Sequence, residues 1–352
     1  MQTILRRCKF VLFSFLIVFA TRCSDSDELP SGEYTTGVFV VNEGNFGEAD
    51  GSISYYNRST GEVRQDLFGR ENSNRALGDV VQSIATHQNF TYIVVNNSNK
   101  VEVVDANTFK AVYTVNDVRL PRYMTIHGNK AYITEWVSFT DPGRVSILDL
   151  DTRVVEGTVT TDYGAEQLLV HNNKLYVSNN FSNTVSVVNL SSKTLLKNIL
   201  VGPSPSALLI DKDNTLWVVS NGGYDANYNP LNNGAFYQIN TTTDEVERSI
   251  SLNINLSGKV AINGNKDVIY YAVSKNIYAL DISADAAPAN PLITQSGVNS
   301  FYGLGFDAEE ETLYAADAKG FAGNGVIYRY KKDGTFINSF EAGRGPNGFL
   351  FK

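Results

Sequence analysis

Apolar and polar residues alternate along most of the chain in short runs that are typical of β-strands. The clearest unit covers residues 175–202 and reads as three strands, at 175–178, 184–190 and 195–201, with a fourth before them at 166–171. Tyr, Val, Ile and Thr dominate these runs, whereas Asn, Gly, Ser and Asp fill the turns between them. No helical periodicity of comparable length competes with this pattern.

The same four-strand unit recurs along the chain. We place the end of the first strand of each unit at His87, His127, His171, Asp211, Asn263, Asp307 and Lys352. Successive positions lie 40 to 52 residues apart, which fits the length of one four-stranded propeller blade. The repeat therefore predicts an all-β propeller.

The two ends of the repeat array complement each other. Residues 37–42 match the second strand of a blade, whereas residues 346–352 match a first strand such as 205–211. We expect the C-terminal strand to complete the blade that the N-terminal strand begins, which closes the ring and removes two exposed sheet edges. Six complete blades and this composite blade predict one seven-bladed β-propeller over residues 36–352.

The N-terminal segment does not fit the repeat. Residues 1–22 have the pattern of a secretory signal peptide, because Arg6, Arg7 and Lys9 precede an apolar run over residues 10–20. That run is too short to span a bilayer comfortably. We therefore exclude this segment from the predicted fold.

A cysteine follows the apolar run. We interpret Cys23 as the lipidation site of a lipoprotein, and residues 23–35, which open with an acidic stretch, as its tether. An ordinary signal peptide with a chance cysteine and a plain solvated linker remain as alternatives. Because the other cysteine, Cys8, lies in the signal peptide, we expect no disulfide and no catalytic thiol in the mature chain.

The balance of charge restricts the partners. The chain has 29 Lys and Arg against 37 Asp and Glu, a net charge of −8, and removal of the signal peptide would make it −12. This acidic excess argues against nucleic-acid binding, which depends on counterion release by basic residues. It leaves the lipid anchor as the expected contact with a membrane.

The unit at residues 175–202 resembles the YVTN-type repeat of surface-layer-like propellers. With the predicted anchor and acidic tether, the whole chain resembles the surface-exposed propeller lipoproteins that capture vitamin B12 beside TonB-dependent cobalamin transporters. That resemblance implies a lipid-anchored protein of the outer membrane at the cell surface. It also implies that the protein binds cobalamin or related corrinoids non-covalently and passes them to a TonB-dependent transporter.

Five long loops are expected on one face of the ring, at residues 42–51, 135–143, 179–183, 221–234 and 317–325. The predicted ligand contacts in these loops are the aromatic and amide side chains of Phe46, Trp136, Phe139, Asn180, Phe181, Asn221, Tyr224, Tyr228 and Phe321. Such residues suit a large, flat, mostly neutral ligand with amide groups at its edge. A corrinoid has this shape, and a sugar chain also fits; alternatively, the rings fold back and cap the channel.

The starts of the inner strands face the same end of the channel. Reading five positions back from each predicted strand end gives Gln82, Arg122, Glu166, Ser206, Gly258, Tyr302 and Asn347. This set is polar and differs from blade to blade, as expected where a repeat protein contacts a ligand. Arg122, Glu166, Tyr302 and Asn347 complete the predicted binding set, although Arg122 and Glu166 are on neighbouring blades and are expected to pair.

The side chains that catalysis would require are absent or misplaced. His87, His127 and His171 share one repeat position at the opposite end of the inner strands, where repeat drift explains them. Two Trp are too few for the docking pattern of a quinone-dependent dehydrogenase. We therefore predict a protein that is not an enzyme and has no catalytic residue, no metal site and no cofactor.

Alternative functions remain open at this stage. A glycan-binding or protein-docking scaffold would use the same aromatic loops. A calcium-dependent lactonase would need carboxylates at the mouth of the channel, and the candidates are Glu43, Asp50, Asp141, Asp225 and Asp317. Their sequence spacing contains no calcium-loop motif.

Overall fold

The structure is a computed structural model that describes residues 32–225, 227, 229–256 and 259–352. The predicted signal peptide, Cys23 and residues 24–31 of the predicted tether lie outside this part of the chain. Within the described ranges, no helix is long and apolar enough to cross a membrane.

The described chain forms seven four-stranded antiparallel sheets, which we number as blades 1–7 in chain order. Blade 1 begins with β1 (Val38–Asn42), β2 (Ser52–Tyr56) and β3 (Val63–Arg64), and the short helix α1 (Leu67–Glu71) follows. Blade 2 contains β4 (Val81–His87), β5 (Phe90–Val95), β6 (Lys100–Asp105) and β7 (Ala111–Val115). Blade 3 contains β8 (Pro121–His127), β9 (Lys130–Glu135), β10 (Arg144–Asp149) and β11 (Val154–Thr160).

The next two blades repeat this order. Blade 4 contains β12 (Ala165–His171), β13 (Lys174–Asn179), β14 (Thr184–Asn189) and β15 (Thr194–Leu200). Blade 5 starts with β16 (Pro205–Ile210) and β17 (Leu216–Ser220), and a small hairpin of β18 (Gly223–Tyr224) and β19 (Pro230–Asn232) precedes β20 (Ala235–Asn240) and β21 (Glu245–Ser251). The predicted loop at 221–234 therefore carries strands of its own.

The last two blades lead back to the first. Blade 6 contains β22 (Val260–Ile262), β23 (Val268–Val273), β24 (Asn276–Asp281) and β25 (Ile293–Thr294). Blade 7 contains β26 (Phe301–Asp307), β27 (Thr312–Asp317), β28 (Asn324–Lys331) and β29 (Phe336–Arg344), with a 3₁₀ turn at Lys319–Phe321. The final strand, β30 (Pro346–Phe351), joins blade 1. The predicted all-β, seven-bladed propeller with a composite closing blade is therefore confirmed.

The hydrophobic core of the described chain is divided into seven clusters, one at each junction between neighbouring blades. In β5, Tyr92 and Val94 belong to the cluster shared with blade 3, whereas Ile93 and Val95 belong to the cluster shared with blade 1. Successive strand residues point to opposite faces, so both faces of a blade are apolar. Each blade therefore needs a neighbour on both sides.

The ring closes through backbone hydrogen bonds between its first and last strands. β30 pairs antiparallel with β1, with Val38 opposite Phe351 and Val40 opposite Phe349. Just beyond these strands, Gly37 and Lys352 exchange two backbone hydrogen bonds of 3.0 Å. The ammonium of Lys352 donates to the carbonyl of Ala106 at 2.7 Å, and burial lowers the pKa of Lys352 to about 8.

Packed structure begins within the predicted tether. Tyr34 is buried and meets Tyr55 edge-on, with 5.1 Å between the ring centroids. Its backbone amide donates to the carbonyl of Asn107 at 3.0 Å, and its hydroxyl donates to Glu71 at 2.6 Å. Residues before the first strand are therefore part of the core between blades 1 and 2.

Removal of residues 346–352 should strongly destabilise the propeller. The deletion takes away the innermost strand of blade 1 and exposes the edge of β1 together with apolar surface of blade 7. We expect aggregation or a large fall in the thermal midpoint, measured by calorimetry and light scattering. The same midpoint for the truncated and full-length chains would contradict the closure described above.

Candidate functional site

The central channel has two different ends. The inner strands of all blades run in the same direction, and we call the end where they begin the mouth and the end where they finish the foot. His87, His127 and His171 end β4, β8 and β12 at the foot. The long loops of blades 1, 3 and 7 meet at the mouth.

A cavity of about 570 Å³ lies at the mouth, and we call it the aromatic cavity. Its Phe and Trp side chains come from three blades, with Phe46 between β1 and β2, Trp136 and Phe139 between β9 and β10, and Phe321 in the 3₁₀ turn of blade 7. The rest of its lining consists of Glu43, Gly44, Asn45, Val80, Asn96, Asn97, Leu120, Arg122 and Tyr302. The structure thus brings six predicted site residues to one cavity: Phe46, Arg122, Trp136, Phe139, Tyr302 and Phe321.

Some of the loop aromatics are fixed by packing on glycines. Phe181 lies on Gly164 and Phe321 on Gly345, both glycines with positive φ, and a Cβ on either would come within 2.6 Å of the ring. Only glycine combines this backbone conformation with so close an approach. Phe321 also meets Tyr302 edge-on at 5.2 Å.

Two other rings at the mouth are largely exposed. Phe46 is 79% exposed and Phe139 is 72% exposed. Phe139 lies 5.8 Å from Trp136 and 5.9 Å from Phe181, measured between ring centroids. The aromatic loops therefore divide into rings that support the wall and rings whose faces are open to a ligand.

A hydrogen-bonded ion pair forms the floor beside Trp136. The guanidinium of Arg122 donates twice to the carboxylate of Glu166, at 2.8 and 2.9 Å. The indole Nε1 of Trp136 donates to the same carboxylate at 2.9 Å, and the guanidinium carbon lies 3.8 Å from the indole ring centre. Burial opposes the charge on Arg122, but Glu166 outweighs it and raises the pKa of Arg122. The predicted pairing of Arg122 with Glu166 is confirmed.

Below the aromatic cavity the channel becomes narrow and polar. Two smaller cavities of about 170 and 210 Å³ share Gln82, Tyr123, Gln167 and Lys259, and we call them together the throat. The upper one also shares its wall with the aromatic cavity, through Glu43, Arg122 and Tyr302. The predicted residues Glu166, Asn180 and Asn221 line the upper part of the throat, and Asn347 lines the lower part.

The polar groups of the upper throat are mostly engaged with each other. The hydroxyl of Tyr302 donates to Glu43 at 2.6 Å. Burial, followed by the charge of Glu43, raises the pKa of Tyr302, so the phenol stays protonated. Asn221 accepts from the hydroxyl of Ser206 at 2.8 Å. These contacts fix the side chains of Tyr302, Glu43, Ser206 and Asn221.

Two predicted contact residues that the structure describes are not part of the cavity walls. Phe181 is 40% exposed and contacts Trp136, which lines the wall, at a centroid distance of 4.7 Å. Tyr224 lies in the hairpin of β18 and β19, exposed and away from both the aromatic cavity and the throat. Tyr228 lies outside the described residues.

The sequence reasoning missed Tyr123 and Lys259, which line the throat. Each directly follows a position in the ring that was read from the repeat, Arg122 in one blade and Gly258 in another. In the other five blades, the residues that directly follow the ring positions are Ser83, Gln167, Ala207, Gly303 and Gly348. Lys259 is the charged residue of this second ring, and reading one repeat position further would have found it.

The carboxylates proposed as calcium ligands are engaged in hydrogen bonds with the protein. Donors within the chain reach Glu43, Asp50, Asp141, Asp225 and Asp317. Among the residues that the structure describes, no group of three or more His, Cys, Asp and Glu side chains is arranged to hold a metal ion.

These features define a seven-bladed propeller with an aromatic cavity at the mouth of its channel. Residues 36–345 match the family model described as a domain of unknown function, DUF5074, and the chain belongs to that family. No curated protein matches the sequence significantly.

Solved structures share the architecture. A quinoprotein alcohol dehydrogenase-like protein from Bacteroides thetaiotaomicron has a TM-score of 0.70 and 16% identity, over 90% of this chain and 78% of that one. Hydrazine synthase from Kuenenia stuttgartiensis has a TM-score of 0.61 and 16% identity, over 74% and 85%. A computationally designed protein, Ika8, has a TM-score of 0.59 and 12% identity, over 91% and 92%. At these identities the likeness shows the fold alone.

Substitution of Glu166→Ala should destabilise the mouth. The variant leaves the guanidinium of Arg122 without its carboxylate, and loss of one partner of a buried ion pair costs about 3–5 kcal/mol. Urea unfolding followed by tryptophan fluorescence measures this loss. The double variant with Arg122→Met and Glu166→Met should recover most of the stability, because no unpaired charge remains. A loss below about 1 kcal/mol for Glu166→Ala would mean that water replaces the carboxylate.

Proposed function

We propose that this chain is a ligand-binding propeller, not an enzyme, that holds cobalamin or a related corrinoid at the mouth of its channel. The observation that carries the proposal is the aromatic cavity, with the exposed rings of Phe46 and Phe139 beside the amides of Asn45, Asn96 and Asn97. Aromatic faces pack on a flat macrocycle, and amides donate to and accept from groups along its edge.

The electrostatics of the floor support a mostly neutral ligand. Arg122 and Glu166 neutralise each other, and the carboxylate of Glu43 is bound by the hydroxyl of Tyr302. A ligand with a strong net charge would find no compensating group on this floor, and the ammonium of Lys259 lies below it in the throat. A corrinoid, which carries many uncharged amide groups, meets this requirement.

We further propose that the protein is a lipoprotein of the outer membrane, anchored at the cell surface, that passes its ligand to a TonB-dependent transporter. The support is the N-terminal sequence, with a signal peptide pattern followed by Cys23 and an acidic stretch. A reversible, non-covalent site open at the mouth suits a protein that must release its ligand to a partner.

A glycan is the second candidate ligand. The same pairing of exposed rings with Asn side chains suits sugar rings, which stack on aromatic faces and hydrogen-bond to amides. A sugar chain would extend across the mouth between blades 1 and 3, where Phe46 and Phe139 lie. A binding experiment must therefore include both ligand classes.

The binding test uses the mature chain with cyanocobalamin in equilibrium dialysis, followed by titration calorimetry. We expect the wild type to bind, and Phe46→Ala and Phe139→Ala each to weaken binding by about 1–3 kcal/mol, the usual effect of losing an aromatic anchor. Both rings are exposed, so the variants should keep their fold.

The matched control is Phe336→Ala, which removes a ring that is 52% exposed on the outer strand β29. Its affinity should equal that of the wild type. Binding of soluble oligosaccharides without binding of cyanocobalamin would replace the corrinoid with a glycan. Equal affinities for all three variants would contradict the assignment of the ligand to the aromatic cavity.

The anchor has its own test. Cys23→Ala should abolish incorporation of labelled palmitate and leave a soluble protein or an uncleaved precursor, because an unacylated tether has little membrane affinity. The matched control is Cys8→Ala, since this cysteine lies within the predicted signal peptide and should not affect labelling. Palmitate that still enters the Cys23→Ala variant would disprove the lipidation site.

A further inference from the structure

The throat contains two hydrogen-bond donors that the protein leaves available. The ammonium of Lys259 donates to the hydroxyl oxygen of Tyr123 at 3.2 Å, and the amide of Gln82 donates to the same oxygen at 3.1 Å. Among the described residues, the hydroxyl proton of Tyr123 has no recorded acceptor and no carboxylate lies within 4.0 Å of the ammonium. Lys259 and Tyr123 can therefore both donate into the throat.

Lys259 keeps its charge in this position. Burial opposes the charge, but Tyr123 and the more distant carboxylates of Glu166 and Glu43 outweigh it and raise the pKa of Lys259. The ammonium is therefore a permanent donor at neutral pH.

The throat also contains two acceptors without partners. The carbonyl oxygens Oε1 of Gln82 and Oδ1 of Asn347 are buried and receive no hydrogen bond from the chain. Both side chains are at least 95% buried, with exposures of 4% and 3%. The amide nitrogen Nδ2 of Asn347 donates to the backbone carbonyl of Val81 at 3.4 Å. Buried acceptors of this kind are normally satisfied by a ligand or water.

One functional group of a ligand complements both of these donors and both of these acceptors. A primary carboxamide has two N–H donors, which match the carbonyls of Gln82 and Asn347, and one carbonyl with two lone pairs, which match Lys259 and Tyr123. A carboxylate has no donor, an ammonium would be repelled by Lys259, and a hydroxyl has only one hydrogen to offer. Among these ligand groups the pattern selects the carboxamide, which would replace a water molecule, since water also offers two hydrogens and two lone pairs.

We propose that the throat binds a short arm ending in a primary carboxamide, carried by the ligand whose larger body occupies the aromatic cavity. This inference rests on the proposed function, because it takes the aromatic cavity as the seat of that ligand. The upper throat shares Glu43, Arg122 and Tyr302 with the aromatic cavity, so the two spaces adjoin. The smaller volume of the throat excludes a macrocycle and admits a side arm.

A small probe tests the throat independently of any corrinoid. Propionamide is titrated into the mature chain and its binding is followed by ligand-observed NMR, with propionate and N,N-dimethylpropionamide as comparison probes. We expect millimolar binding of propionamide, as is usual for so small a ligand. Propionate should bind at least fivefold more weakly because it lacks donors, and the dimethyl amide likewise because it lacks N–H groups and is too wide.

Variants locate the probe. Lys259→Met and Gln82→Met should each weaken propionamide binding at least fivefold, with the thermal midpoint recorded to show that the chain is folded. The control is Lys212→Met, which changes a lysine that lies outside the throat and whose side chain is 52% exposed. If Lys259→Met does not fold, Gln82→Met decides the result.

The outcomes separate the two proposals. Selective binding of propionamide that depends on Lys259 or Gln82 supports the throat site, even if cyanocobalamin fails to bind and the proposed function falls. No binding of propionamide, equal binding of propionate or of the dimethyl amide, or equal losses in the Lys212→Met control overturns the throat site, even if cyanocobalamin binds at the aromatic cavity.

Discussion

Every blade of this propeller has two apolar faces, and each face must be covered by a neighbouring blade. An open row of blades would leave two such faces and two strand edges in water. The pairing of β30 with β1 removes both at once, so the seven junction clusters depend on a strand that comes from the far end of the chain. The closure of the ring is therefore long-range, because it joins residues about 300 positions apart.

The loops at the mouth differ from blade to blade, although the sheets beneath them repeat. The second and third strands of each blade serve the core, so most of their buried side chains are apolar residues that fit the junctions. The loops between them face solvent and are free to differ, which is why Phe46, Trp136 and Phe321 can come from unrelated loop sequences and still line one cavity. Rigid sheets beneath hold these loops in place.

Much of the fold could be predicted from the sequence, because a repeat fixes strand positions to within one residue in most blades and its two ends reveal the closure. The pairing of Arg122 with Glu166 also follows from the repeat, since equivalent positions in neighbouring blades adjoin. The roles of single loop residues did not follow. Whether Phe181 supports the wall or contacts a ligand depends on its packing against Gly164, a tertiary contact that no local pattern encodes.

The throat was missed for a related reason. Lys259 is one lysine among many in the sequence, and its significance arises only when the inner strands of different blades bring Tyr123, Gln82 and Asn347 around the same narrow space. Such convergence depends on side-chain directions inside the channel and on which blades lie opposite each other. The sequence repeat shows which blades lie opposite each other, but it does not show the side-chain directions inside the channel.

The path of the chain into blade 1 also separates the entry of the chain from the aromatic cavity. β1 starts at Val38, near the foot, and ends beside Glu43 in the aromatic cavity. The segment before it also lies at the foot, where the amide of Tyr34 contacts Asn107 in the turn between β6 and β7. The described chain therefore enters the ring at the foot, and the aromatic cavity lies at the opposite end of the channel, clear of the entering segment.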